Sequence, residues 1–147
     1  MKIYLDTCCY CRPYDKPSQV KIATEAAAVM AVIESSRIAG HRIIGSMAVT
    51  SELGDIPNAE LRETVEGFYN NTVDGEIILT ADDYARADAL RGEGVGDMDS
   101  LHLAGVEAVG ADALLTTDDP FIRICARKNL SFVKVINPLN FLPEVIK

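Results

Sequence analysis

The sequence predicts an α/β fold, a three-layer α/β/α sandwich with a mainly parallel five-stranded sheet. Short runs of branched apolar residues alternate with longer stretches of helical spacing, which implies crossover connections and a sheet covered on both faces. No internal repeat, low-complexity segment or Pro/Gly/Ser-rich linker interrupts that alternation in 147 residues. The composition, 48% hydrophobic against 24% charged, is enough for one full core, so a single domain over 1–147 is expected.

Taken in order, the first strand is Ile3, Tyr4 and Leu5, and four more are predicted at 42–45, 76–79, 113–116 and 132–135. Residues 19–38 carry Ile22, Ala26, Val29, Met30 and Ile33 at helical spacing, and Gly40 follows where a C-terminal cap belongs. Further helices are expected at 59–68, 82–90 and 100–109. Thr80 with Asp83 three residues on matches a capping box, which gives Asp82 and Asp83 structural work.

The net charge of −8, from 22 acidic and 14 basic residues, argues against a protein held to nucleic acid by a basic surface. A nuclease remains open, because carboxylates gathered at one place bind divalent cations that reverse the field a phosphate sees. The longest apolar stretches, 26–33 and 101–109, fall short of the roughly 20 residues of a membrane span. The opening MKIYLDT has no signal-peptide core. A soluble, cytoplasmic chain with reduced thiols and no membrane partner is expected.

Ligands of such sheets bind beyond the carboxyl ends of the strands, near the point where strand order reverses. Acidic residues recur at these ends. Asp6 follows the first strand directly, where burial without a partner costs several kcal/mol, and its structural alternative is to cap the next turn through Thr7 and Cys8. Glu52 lies in a short helical segment after the second strand and, taken alone, reads as a surface charge. In Gly96-Asp97-Met98-Asp99-Ser100, Asp97 is expected to cap the helix, leaving Asp99 in its first turn as the functional candidate. In Thr116-Thr117-Asp118-Asp119-Pro120, Asp119 is expected to be the N-cap before Pro120, leaving Asp118 to face the strand end.

Four segments, MKIYLDTCCYCRPYD, SELGDIP, GDMDSLHLAGVEAVGADALLTTDDPF and VKVINPLNFL, together resemble the PIN domain family of metal-dependent ribonucleases over nearly the whole chain. The third is the most specific, pairing an Asp that opens an apolar His-containing helix with Thr-x-Asp after the next strand. The resemblance implies a parallel five-stranded sheet and a site in which Asp6, Glu52, Asp99 and Asp118 hold Mg2+ or Mn2+, with Thr116 orienting it through its hydroxyl. It further implies hydrolysis of RNA, single-stranded by the same resemblance, a homodimer, and relatives that are toxins paired with an antitoxin protein. Cys8, Cys9 and Cys11 crowd a loop that usually begins with a small polar residue, and Arg12, Pro13 and Asp15 match an Arg-Pro-x-Asp turn found in a subgroup. Hard cations of this kind prefer oxygen ligands, activate water and neutralise phosphate charge. Four mutually repelling carboxylates predict a raised pKa for at least one of them without metal, and a thermal shift on adding Mn2+.

Other residues read more plainly. Zinc is disfavoured at Cys8, Cys9 and Cys11 because no second Cys pair completes a four-ligand pattern, and Cys125 is alone. His102, three residues after Asp99 and among Leu101, Leu103 and Val106, reads as a satisfied core histidine rather than a general base, and His41 as a residue following a helix end. Arg12, Lys16, Lys21, Arg42 and Arg123 are cations placed to guide phosphates, whereas stacking by Tyr10 or Tyr14 has no pattern behind it. Two rivals stand beside a nuclease. An Asp-nucleophile phosphatase needs a second Asp two residues after Asp6, where Cys8 stands. A non-catalytic module would use the acidic pocket for metal or a basic peptide alone.

Overall fold

The computed structural model describes residues 1–146. The elements run β1 (Lys2–Leu5), α1 (Thr7–Cys11), a 3-10 turn (Arg12–Tyr14), α2 (Val20–Ala39), β2 (Arg42–Ser46), α3 (Met47–Gly54), α4 (Ala59–Thr72), β3 (Gly75–Ile77), α5 (Ala81–Gly92), α6 (Asp97–Ala108), β4 (Ala113–Leu115), α7 (Asp119–Lys128), β5 (Lys134–Ile136) and α8 (Pro138–Val145). All strand pairs are parallel, in the order β3-β2-β1-β4-β5. The expected three-layer α/β architecture is therefore the observed one. Right-handed crossovers put α2 and α4 on one face and α5 to α7 on the other, because the chain moves outward through β2 and β3 and then returns across β1 to β4.

Strands buried on both faces read as unbroken apolar runs. Ile3, Tyr4, Leu5, Leu114 and Leu115 are fully buried, and Ile3 sits in register with both Ile43 and Ala113. Gly40 ends α2 in the left-handed conformation at φ 77°, as its position predicts. Thr80 and Asp83 form the expected reciprocal capping box on α5. Two short helices, α1 and α8, lie where no apolar periodicity announces them. The last strand begins two residues later than predicted and β3 ends two residues earlier. Such boundaries are set by ladder hydrogen bonds with neighbouring strands rather than by local composition.

Two internal devices hold the strand ends in place. At Gly45 an added Cβ would overlap the Tyr69 hydroxyl, which accepts from Ser46 N at 3.0 Å and donates to Glu76 at 2.6 Å. Glu25 on α2 is fully buried, with Oε2 accepting from Asn137 Nδ2 at 2.6 Å and Oε1 lying 3.3 Å from Arg12 Nε. That ion pair is close without being aligned for a hydrogen bond. Arg12 Nη2 also donates to Thr117 Oγ1 at 2.9 Å, and its Nη1 to Asp15 at 3.1 Å. The Arg-Pro-x-Asp turn is thus a clasp joining α2, the loop after β4 and the start of α8.

Candidate active site

Strand order reverses at β1, whose neighbours are β2 and β4, and the carboxyl ends of these three strands carry the acidic residues. The ladder runs one step past β1, with Asp6 N donating to Leu115 O at 2.9 Å. Asp6 then turns into α1 as its N-cap, accepting from Thr7 N at 2.7 Å through Oδ1 and from the Thr116 hydroxyl at 2.8 Å through Oδ2. Its capping role and its place in the site are the same geometry. Thr116 follows β4 and accepts from Asp118 N at 3.1 Å, so one buried hydroxyl links Asp6 to the Asp118 backbone. The Cys8 thiol stands beside them, 3.5 Å from Asp6 Oδ2 and 3.4 Å from Thr116 Oγ1.

Glu52 arrives from β2. Ser46 ends the strand and caps α3 by accepting from Ala48 N at 3.0 Å, which starts the helix at once and presents Glu52 one and a half turns later. There Oε1 accepts from the Thr7 hydroxyl at 2.7 Å and from His102 Nε2 at 2.6 Å. His102 Nε2 is also 3.3 Å from Asp6 Oδ1, while its Nδ1 meets the Tyr4 hydroxyl at 2.5 Å. Ionised carboxylates only accept, so Nε2 carries a proton. Burial lowers the pKa of His102, but the Glu52 hydrogen bond and the charges of Asp6, Glu52 and Asp99 outweigh it and hold the imidazolium above its ordinary range. Burial likewise pushes Glu52 up, and the His102 and Thr7 hydrogen bonds bring it below the usual carboxylate value.

His102 is therefore both the satisfied core histidine its neighbours predict and a member of the site. Ligand-capable atoms of Asp6, Glu52 and His102 lie within 4.8 Å of one another, the one such trio among the described residues. The signal in the sequence is its three-residue spacing from Asp99, which places both on one face of α6.

Asp99 and Asp118 stand outside that trio. They line a neighbouring cleft of about 430 Å³ between the 94–96 loop and α7. Burial first, then the charges of Asp6, Asp118 and Glu52, push Asp99 to about 7 against the pull of His102. One of the four acids is thus raised as expected, with burial ahead of carboxylate repulsion as the cause. Capping corrects two local readings. Gly96, not Asp97, is the N-cap of α6, and Asp97 is an exposed first-turn residue. Asp118, not Asp119, caps α7 by accepting from Phe121 N at 3.2 Å, while Asp119 pairs with Lys21 at 2.8 Å. Pro120 fits either reading, since it is tolerated throughout the first turn. Asp118 thus uses one carboxylate oxygen for the cap and keeps the other available.

The donor set fits a divalent cation. Two carboxylates converge on one point, a third nearby is protonated more readily than usual because it is buried and its neighbours are negative, and oxygen donors predominate.

The chain matches no protein-family model and no curated protein. Among solved structures it resembles VapBC2 from Rickettsia felis bound to a DNA fragment from their promoter, with a TM-score of 0.58 at 18% identity, over 93% of this chain and 98% of that one. The likeness is one of fold. No helix among the described residues is long and apolar enough to cross a membrane.

Proposed function

We propose that this chain is a PIN-type metal-dependent ribonuclease acting on single-stranded RNA. The convergence of Asp6 and Glu52 on the His102 ring, beside an Asp99 whose acidity is weakened by burial and then by the surrounding carboxylates, carries the reading. Asp6, Glu52, Asp99 and Asp118 would hold Mg2+ or Mn2+, which when bound supplies charge neutralisation at the scissile phosphate and a more acidic water. The fold likeness to VapBC2 and the PIN-like segments support the same family. By that resemblance the chain is a homodimer and the toxin of a toxin–antitoxin pair, with an antitoxin protein as partner.

The residues of the chain divide the remaining work. Thr116 fixes one oxygen of Asp6, leaving its orientation set before any ligand arrives. The Thr7 hydroxyl and His102 Nε2 do the same for Glu52. Arg12, tied up with Glu25, Asp15 and Thr117, supports the loop behind the site rather than facing substrate.

Asp6→Asn tests the reading with a labelled RNA in Mn2+. A ribonuclease loses most cleavage while keeping its fold; a binding module cleaves nothing in either form but still shows heat on Mn2+ titration. Absence of both cleavage and metal-dependent stabilisation in the unsubstituted protein would overturn the proposal.

A further inference from the structure

The cleft lined by Asp99 and Asp118 is lined by cations as well. Arg123 and Arg127, one helical turn apart on α7, line it together with Phe121, Ile124 and the Gly94 to Gly96 backbone. Most other cations around this end of the molecule are engaged. Lys21 pairs with Asp119, Lys128 with Glu93 and Arg91 with Asp88. Arg123 and Arg127 form no ion pair or side-chain hydrogen bond with any described residue, and both are exposed. Two guanidinium groups one turn apart on a helix repel each other, and neither is offset by an ion pair, although Arg127 gains from its place in the last turn of α7.

The cleft is also shaped for a thin ligand. Gly94 has φ +101°, and a Cβ there would lie 3.0 Å from Ile124 Cδ1, so the loop approaches α7 closely at this point. A groove of about 430 Å³ that carries both carboxylates and free guanidiniums offers partners to a phosphate backbone and to the cations that accompany it.

We propose that Arg123 and Arg127 form a phosphate-binding subsite that guides a single nucleic-acid strand to the carboxylate site. The inference rests on the nuclease reading for its direction, and on the free guanidinium pair for its chemistry. Arginine suits the role because its planar fork matches phosphate oxygens and keeps its charge at all relevant pH values. Contacts of this type position the strand and carry no base information, so RNA and DNA of one sequence are held alike here.

Fluorescence anisotropy of a labelled single-stranded RNA oligonucleotide provides the test, with Asp6→Asn as the background so that the probe stays intact, over a series of KCl concentrations. Adding Arg123→Gln and Arg127→Gln removes two phosphate contacts, and the log-affinity against log-salt slope is expected to shrink by about 1.4. The same loss is expected with DNA of the same sequence. Lys134→Gln, at the opposite end of the sheet, serves as control and leaves the slope unchanged. Circular dichroism melts of each variant exclude misfolding. An unchanged slope in the double variant overturns this inference whatever the activity. A reduced slope together with no cleavage by the unsubstituted protein removes the nuclease reading and leaves the phosphate subsite standing.

Discussion

The buried imidazole of His102 bridges Tyr4 in the central strand and Glu52 at the rim, with Nδ1 2.5 Å from the Tyr4 hydroxyl and Nε2 2.6 Å from Glu52 Oε1. A core contact therefore sets the orientation of a carboxylate that reaches solvent. Removing the hydroxyl by Tyr4→Phe leaves a buried ring nitrogen without its partner, which costs about 1–3 kcal/mol. Urea denaturation at constant m-value checks that loss. If Glu52 holds the proposed cation, loosening its support weakens affinity about 10-fold, so Mn2+ titration calorimetry is expected to move in parallel.

The carboxyl of Asp99 gives a pH signature. Its pKa is about 7 in the fold against an ordinary 3.8, so the unfolded chain loses that proton first. The associated stability is complete below the ordinary value and disappears as pH rises through about 7. His102, also raised, acts in the same direction. Glu52, lowered, acts oppositely, contributing stability above its ordinary value that is lost on acidification. Between about pH 5 and about pH 8 the metal-free protein is expected to melt at progressively lower temperature, and Asp99→Asn to flatten that decline. Calorimetric scans in EDTA provide the check.

A single methyl group tests the coupling between β2 and α4. Gly45→Ala drives a Cβ into the Tyr69 hydroxyl, whose bonds to Ser46 and Glu76 leave it little freedom to move. Overpacking of this kind costs about 1–3 kcal/mol. Because Ser46 starts the helix that bears Glu52, the variant is expected to lose Mn2+-dependent stabilisation as well as melting temperature.

The clasp around Glu25 has a different signature. Arg12→Ala leaves a fully buried carboxylate without its cation and is expected to cost about 3–5 kcal/mol, measured by chemical denaturation. Glu25→Gln in the same chain restores part of the loss, since it removes the orphaned charge and keeps the shape.

Much of this architecture is legible in the sequence because its signals are local. Five strands in the right order, the Gly40 cap and the Thr80 capping box depend on a few adjacent residues and are found as expected, apart from the shifted ends of β3 and β5. Asp6 was legible too, as a charge abutting a strand that has no apolar use for it. The choice between Asp118 and Asp119 was not, because both can cap a helix that has Pro120 in its first turn; Lys21, far away in the chain, draws Asp119 outward. Pairings of residue 4 with 102, 52 with 102 and 12 with 25 exist only once the sheet has closed, and no spacing rule encodes them. Arg127 gains its setting only from the fold, which brings α7 to the same cleft as Asp99.

The place of β1 between β2 and β4 has a consequence for synthesis. While the chain is being made, the half of the centre carried by residues 6 and 52 emerges well before positions 99, 102 and 118, and β1 waits with one edge bare. Closure of the acidic cluster is therefore a late event for the nascent polypeptide, since a copy that stops short of position 118 lacks part of it.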